Sequence, residues 1–504
     1  MTYRTRRLPV AILVPALALA PACSRVENPA TGRSEYTTLS AEQERELGAQ
    51  EHPRILQQFG GAYPDEELQA YVQAVGNRVA ANSDQPDAEF TFTLLDSEVP
   101  NAFALPGSYV YITRGLLALA ETEAEMAGVL GHEIGHVTAR HTAQRQTQAT
   151  GAGVLATLAT IAAAVLGGEV AGQLAQQATG VGAQAYLASY SRDQEFQADD
   201  LGVGYMTAAG YDPEAMATFL EKLAAESALD REIAGGDGDP AESWFATHPR
   251  TLDRVQRTAD EAKASTNGGG RAGREEYLAR IDGLIYGEDP RQGLVRGRQF
   301  VHPDLGFAFE APPGFGLQNT PQAVLAQDRA GRLMIFTGAN LDGRGPESYV
   351  AGPGLQQVGR ALDVEVSRPR NVQTFRVDGL PGASASATVR QGGRQADLGL
   401  AVIETGNAAY RFIFLSAGQM RRDEARAYQA TINSFRELDP GEAARFRPRR
   451  IVVVEVEAGE DAADLASRMA TDEAKRRRFE IINALALRQG ISPGDEVKLI
   501  LSEN

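Results

Sequence analysis

The stretch that most constrains this chain is Gly131-His132-Glu133-Ile134-Gly135-His136. The residues before it, Glu121 to Leu130, are rich in Ala, Glu, Met and Leu and contain no proline, so the segment is predicted to be helical. On a helix, positions i and i+4 share a face one turn apart. His132 and His136 therefore point the same way, and their imidazole nitrogens can reach one metal ion. Glu133, beside the first histidine, can take a proton from a metal-bound water without being a ligand itself. This is the spacing by which H-E-x-x-H helices hold zinc. A helix that carries two histidines for other reasons is the alternative, but the chain has six histidines in 504 residues.

The length allows two to four domains at about 150 residues each. A net charge of −17 argues against non-specific nucleic-acid binding, which needs a basic surface. One cysteine excludes an internal disulfide framework. Arg4, Arg6 and Arg7, an apolar stretch from Leu8 to Ala20, and Pro21-Ala22-Cys23 have the layout of an export signal, too short in its apolar part to span a bilayer comfortably. Cys23 resembles the acceptor of a bacterial lipobox, with Ala20 where Leu is commoner. Lipidation there would anchor the mature chain to a membrane surface; ordinary secretion is the alternative. Ser24, rather than Asp, after the cysteine is compatible with the outer membrane.

The expected organisation is a signal peptide over 1–22, a tether over 23–40, a mainly α domain with a small β-sheet over 41–290, an α+β domain with an antiparallel sheet over 299–440, and a small βααβ unit over 448–504. Helices are expected at Ala41–Phe59, Asp65–Ala81, Ala185–Gly202, Leu201–Met206, Met216–Leu223 and Glu275–Tyr286, with a linker over Gly287–Arg298. Phe90–Leu95 and Tyr109–Thr113 alternate as strands. Asn101-Ala102-Phe103-Ala104-Leu105, ended by Pro106-Gly107, is the candidate for an edge strand that pairs with an extended substrate; a plain scaffold hairpin is the alternative. Gln146 to Gly168 carries no charge and is expected as a buried or interfacial helical element near the cleft, with a transmembrane helix as the alternative.

A catalytic zinc takes three protein ligands and leaves a position for water. The extension H-E-x-x-H-x-x-G-x-x-H fails here, because Ala139 and Thr142 stand at its glycine and third histidine. His141 is rotated off the ligand face. The gluzincin pattern takes a glutamate from a later helix, and Glu195 fits it. Asp199, one turn further on the same face, can accept the spare N–H of a ligand histidine. A solvated helix charge is the alternative for Glu195 alone.

Taken together, Asn101 to Gly107, His132 to His136, and Ser191-Arg192-Asp193-Gln194-Glu195-Phe196-Gln197-Ala198-Asp199 resemble the HtpX/CAAX-prenyl-endopeptidase family of zinc peptidases, most closely its soluble, exported BepA-type branch. The resemblance covers roughly residues 41 to 290. It implies one zinc ion on His132, His136 and Glu195, with Glu133 as general base, in a fold of mainly helices. Thr247-His248-Pro249 and Arg254 also match the family; His248 would approach the zinc or stabilise an oxyanion, and Arg254 would orient His248 or supply charge. The end of the chain, with Val456 to Gly459, Ile482 to Leu485 and Pro493 to Ile500, resembles a divergent LysM module, which implies a peptidoglycan partner; Lys475 to Arg478 is not typical of such modules, and a small structural cap is the alternative.

Three functions are compatible with this reading. The chain is expected to be an envelope zinc endopeptidase acting on misfolded polypeptides. A chaperone or assembly scaffold with a gated zinc site, and a peptidoglycan-tethered binding protein, are the alternatives.

Overall fold

The computed structural model describes residues 24–37, 39–145, 190–233, 248, 254, 257–258 and 269–502, apart from 363, 392–393, 407, 472–473 and 487–489. The segment expected as a signal, Cys23, the uncharged stretch Gln146–Gly168 and residues 185–189 lie outside these. Among the described residues, no helix is long and apolar enough to cross a membrane.

The segment expected as a tether contains an antiparallel hairpin, β1 (Ser24–Glu27) and β2 (Ser34–Thr37). Helix α1 (Ala41–Gln58) starts at a capping box on Ser40 and Gln43. Helix α2 (Glu66–Ala80) is capped by Asp65 and buries Leu68, Val72, Val75 and Val79 along one face. Strands β3 (Thr91–Leu95), β4 (Ala102–Leu105) and β5 (Tyr109–Thr113) form a sheet in the order β3-β5-β4. β4 is therefore an edge strand, antiparallel to β5. Ala102 and Ala104 face the main helical core, while Phe103 and Leu105 face a smaller cluster with Ile55 of α1.

Short helix α3 (Arg114–Leu119) leads into α4 (Glu123–Thr138), which carries the two motif histidines. Helices α5 (Arg192–Ala208), α6 (Glu214–Ile233) and α7 (Arg274–Ile281) complete the helical region. The last helix is shorter than expected. It ends before Gly283, whose φ of +86° turns the chain, and β6 (Ile285–Tyr286) follows.

The segment expected as a linker holds β7 (Leu294–Arg296), which pairs with β8 (Gln299–His302). β8 pairs with β9 (Phe307–Glu310). The second region is built on an eight-stranded antiparallel sheet of β10 (Gly316–Asn319), β11 (Val324–Gln327), β12 (Leu333–Gly338), β13 (Glu365–Val366), β14 (Arg370–Val377), β15 (Leu380–Gln391), β16 (Arg394–Glu404) and β17 (Ala409–Ala417), with helices α8 (Pro346–Val350), α9 (Pro353–Ala361) and α10 (Arg422–Asn433), followed by β18 (Arg436–Glu437) and α11 (Pro440–Ala443). Leu333 and Ile335 join one core cluster, and Met334 and Phe336 join another on the opposite face. Alternation along β12 thus places one apolar layer on each side of the sheet.

The last region has the expected βααβ order: β19 (Arg449–Glu455), α12 (Ala462–Ser467), α13 (Lys475–Ile482) and β20 (Glu496–Ser502). It does not stand apart. β19 pairs with β6, and Ile451, Leu465, Phe479, Val497 and Leu499 belong to the same core cluster as α2 and α4. The chain is thus multidomain, with a helical first part and several antiparallel sheets after it.

Candidate metal centre

Helix α4 begins at Thr122, whose hydroxyl accepts from the Glu125 amide. Its first turn is fixed by Glu123, a buried carboxylate that accepts from Tyr71 (2.8 Å), Tyr211 (2.7 Å) and Arg78 (2.9 Å). Further along, Gly131 and Gly135 sit where α5 crosses. A Cβ on Gly131 would meet the Gly202 carbonyl at 3.0 Å, and one on Gly202 would meet the His132 amide at 2.8 Å. The glycines of the motif therefore let two helix backbones come together. That close approach carries Glu195 to the two histidines.

The donor atoms converge at the crossing. His132 Nε2 and His136 Nε2 lie 3.0 Å apart. Glu195 Oε1 is 3.4 Å from His136 Nε2, and its Oε2 is 3.8 Å from His132 Nε2. All three side chains are buried. Four donors at about 2.0–2.1 Å around a tetrahedral zinc would stand about 3.3–3.4 Å from one another. The separations bracket that value, and two imidazoles with one carboxylate are a donor set suited to zinc. Together with His248 they form a group of four side chains able to hold one ion, with ligand atoms within 4.8 Å of one another.

His248 takes the fourth corner. Its Nδ1 is 3.3 Å from His132 Nε2 and 3.0 Å from Glu195 Oε1, and its Nε2 is 3.5 Å from Glu133 Oε1. Its neighbours Thr247 and Pro249 lie outside the described residues. Glu133 is buried next to this cluster and contributes no atom to the donor set.

Around the donors stands an ionic frame. Asp199 Oδ1 is 2.9 Å from His132 Nδ1. Arg254 binds Asp199 through Nε and Nη2, both at 2.7 Å, and reaches Glu195 Oε2 at 2.5 Å. Burial works to raise both carboxyls, but the opposing charges win. Arg254 and His132 hold Asp199 below its ordinary range, and His248, His136 and Arg254 hold Glu195 well below its own. On the other side, His136 Nδ1 lies 2.8 Å from His141 Nδ1, and His141 Nε2 is 3.1 Å from Gln197 Oε1. Burial pushes His141 down to about 4, so its neutral ring holds His136 as one donor–acceptor pair. Tyr190 stacks on His136 with ring centroids 3.7 Å apart.

The structure thus brings His132, Glu133, His136, Glu195, Asp199, His248 and Arg254 into one buried cluster. Asn101 to Ala104 lie on the sheet beside α4 rather than among the donors, with β4 sharing the α4 core. Neither Tyr190 nor Gln197 has a role at the site in the sequence reading. Tyr190 merely precedes a helix cap, and nothing in its pattern marks it. His52 donates to or accepts from Tyr111 at 2.8 Å, a structural role.

A helix with H-E-x-x-H, completed by a glutamate from a second helix, defines the donor set of a zinc metallopeptidase. Residues 66–262 match the model of Peptidase family M48, and this part of the chain is a domain of that family. The beta-barrel assembly-enhancing protease of Yersinia pestis is 35% identical over 205 residues, covering 40% of this chain and 41% of that protein. That of Escherichia coli (strain K12) is 32% identical over 228 residues, covering 42% and 45%. The mitochondrial metalloendopeptidase OMA1 of Schizosaccharomyces pombe is 28% identical over 234 residues, covering 45% and 64%. The chain thus spans less than half the length of the two bacterial relatives. The solution structure of PsbP from Synechocystis sp. PCC 6803 aligns with 30% of this chain and 98% of that one, at 17% identity and a TM-score of 0.23, a likeness too slight to carry an argument.

Proposed function

We propose that the chain is a zinc-dependent endopeptidase of the bacterial envelope, acting on misfolded or misassembled envelope proteins. The observation that carries the chemistry is the convergence of His132, His136 and Glu195 beside a non-ligand Glu133. Zinc held there would lower the pKa of a bound water toward ~7 and polarise the scissile carbonyl. Glu133 would take the proton of the attacking water and pass it to the leaving amine. Asp199 and Arg254 would hold the ring of His132, and His141 that of His136. The substrate would lie extended along β4, whose outer edge is paired with no strand among the described residues. Asn101 heads that strand, with a buried side-chain oxygen that has no partner among the described residues. The envelope setting is supported by the arginine-rich leader, by Cys23 as a lipidation site, and by bacterial relatives named for β-barrel assembly.

The test is casein cleavage by wild type and Glu133→Gln, with zinc content measured in both. Glu133→Gln should keep zinc and lose cleavage by about 1000-fold, within the range for removing a group that acts in the transition state. Cleavage by this variant at wild-type rate would sink the assignment.

A second reading, a scaffold with a gated site, is favoured by His248. As placed, its ring occupies the corner where water must sit, so a productive state needs His248 to move away. His248→Ala should then raise basal casein cleavage severalfold with zinc retained. A loss of cleavage with zinc intact would instead assign His248 to the oxyanion.

A further inference from the structure

We propose that Lys498, on the last strand of the chain, is a positioning residue for the metal-binding helix, and that the C-terminal βααβ unit is a working part of the peptidase rather than an appended module. The inference rests on the peptidase reading above and concerns a region outside the family match, which ends at residue 262.

Lys498 is fully buried at the junction of the two regions. Its ammonium donates to the carbonyls of Ala118 (2.8 Å), Leu119 (3.3 Å) and Ala120 (2.6 Å). These carbonyls close α3 and begin the link into α4. The last carbonyls of a helix have no partner within it, and a cation there also meets the negative end of the helix dipole. A second buried lysine, Lys222 of α6, donates to Leu119 O (3.2 Å) and to Glu125 Oε2 (2.6 Å) in the first turn of α4. Arg274 closes the frame by donating to Glu121 Oε1 (2.8 Å) and to the Glu496 carbonyl of β20 (2.7 Å). The start of the metal-binding helix is therefore fastened to β20 both through the peptide link at 118–120 and through Arg274.

β20 is itself fixed. Asn483 accepts from the Lys498 amide (2.7 Å) and donates to the Lys498 carbonyl (3.0 Å). The basic run Lys475 to Arg478 has a use here. Arg478 pairs with Glu226 and with Asp230 (2.8 Å), and Arg477 pairs with Glu232 (2.6 Å), all on α6. An unpaired buried lysine is costly. Its presence at 0% exposure, with each donor met by a main-chain carbonyl of the helical region, is unexplained if the unit only caps a surface. A leucine or methionine at 498 would fill the space without the burial of charge, but it would leave the Ala118 and Ala120 carbonyls without this donor and Leu119 O with Lys222 alone.

The experiment uses the full chain as wild type, Lys498→Met and Asn483→Ala. Three quantities are read: amide hydrogen exchange over 118–136, the rate of zinc release to a chromogenic chelator, and kcat and KM on a fluorogenic casein peptide, per zinc-loaded folded molecule. Lys498→Met should speed exchange at the start of α4 and zinc release by about tenfold and lower kcat by about tenfold, with KM within about twofold. Asn483→Ala, which loosens β20 but keeps the ammonium, should shift all three in the same direction by less, and it decides the matter if Lys498→Met does not fold. A fall in melting temperature with exchange over 118–136, zinc release and kcat unchanged would overturn the proposal. Exchange and zinc release do not depend on turnover. If Glu133→Gln shows that cleavage does not come from this site, they still decide the role of Lys498.

Discussion

Asp199 and His141 stand behind the rings of His132 and His136, each against the nitrogen that faces away from the proposed metal position. His132, His136 and Glu195 lie together in the structure with His248, as their spacing allows, and His141 stands outside that group. What spacing could not show is that His141 lies against His136 from behind, since that contact depends on how the chain turns after Thr138. Arg140 makes that turn with φ +56°. The link between Asp199 and His132 is testable at this scale. Asp199→Ala removes the carboxylate from His132 Nδ1 and takes one of the carboxylate partners from the buried Arg254. Loss of such an outer partner typically costs about 10–100-fold in metal affinity. Zinc titration of Asp199→Ala against a competing chelator should show a weakening in that range; unchanged affinity would remove Asp199 from the site.

Elements were legible where their signals were local. Leu333-Met334-Ile335-Phe336 and Phe412-Ile413-Phe414-Leu415 are short runs of large apolar residues, the local pattern of strands covered on both faces, and they lie in β12 and β17. β15 has no such run, because most of its inward face, Ala383, Ala385 and Ala387 before Val389, carries little β signal. The same limit hid the α4–α5 crossing. Glycines in a helix read as weak points, yet Gly131, Gly135 and Gly202 are where the two backbones touch. Gly202→Ala separates two effects. As a helix residue alanine is better than glycine by about 1 kcal/mol. Here its Cβ would stand 2.8 Å from the His132 amide, a backbone atom that can yield only if the helices part. Overpacking of this kind costs about 1–3 kcal/mol, so the variant should melt lower than wild type. Its zinc content after dialysis should fall, because Glu195 moves away with α5. A variant that is more stable and fully loaded would show that the crossing has slack.

The whole molecule was the least legible scale. The βααβ order of residues 449–502 could be read from local pattern, but its fusion to the helical core rests on contacts between residues far apart in sequence, such as Lys498 with Ala118. A lysine in a strand also reads as an outward-facing residue, and here it points inward. This placement makes a pH dependence follow. Burial, with Lys222 nearby, lowers Lys498 to about 7, against the pull of Glu121 and Glu125; Arg274 adds a further positive charge. The unfolded chain keeps the ordinary lysine value near 10.4. Between roughly pH 7 and 10.4, the unfolded state therefore binds a proton that the folded state does not, and the folded side chain is then an amine with two N–H groups left for the carbonyls of 118–120. Stability rises with pH wherever the unfolded state holds more protons. The contribution from Lys498 should thus grow from pH 7 toward 10 and be smallest below about 7, where both states are charged. Other groups titrate over the same interval, so the quantity to follow is a difference. The melting temperature of wild type minus that of Lys498→Met should increase steadily from pH 7 to 9.5. Glu232→Gln, which removes the exposed Arg477 pair between the same unit and α6, should leave that increase in place. A difference flat across this interval would mean that Lys498 keeps its proton in the folded chain, held by the three carbonyls and the paired carboxylates around it.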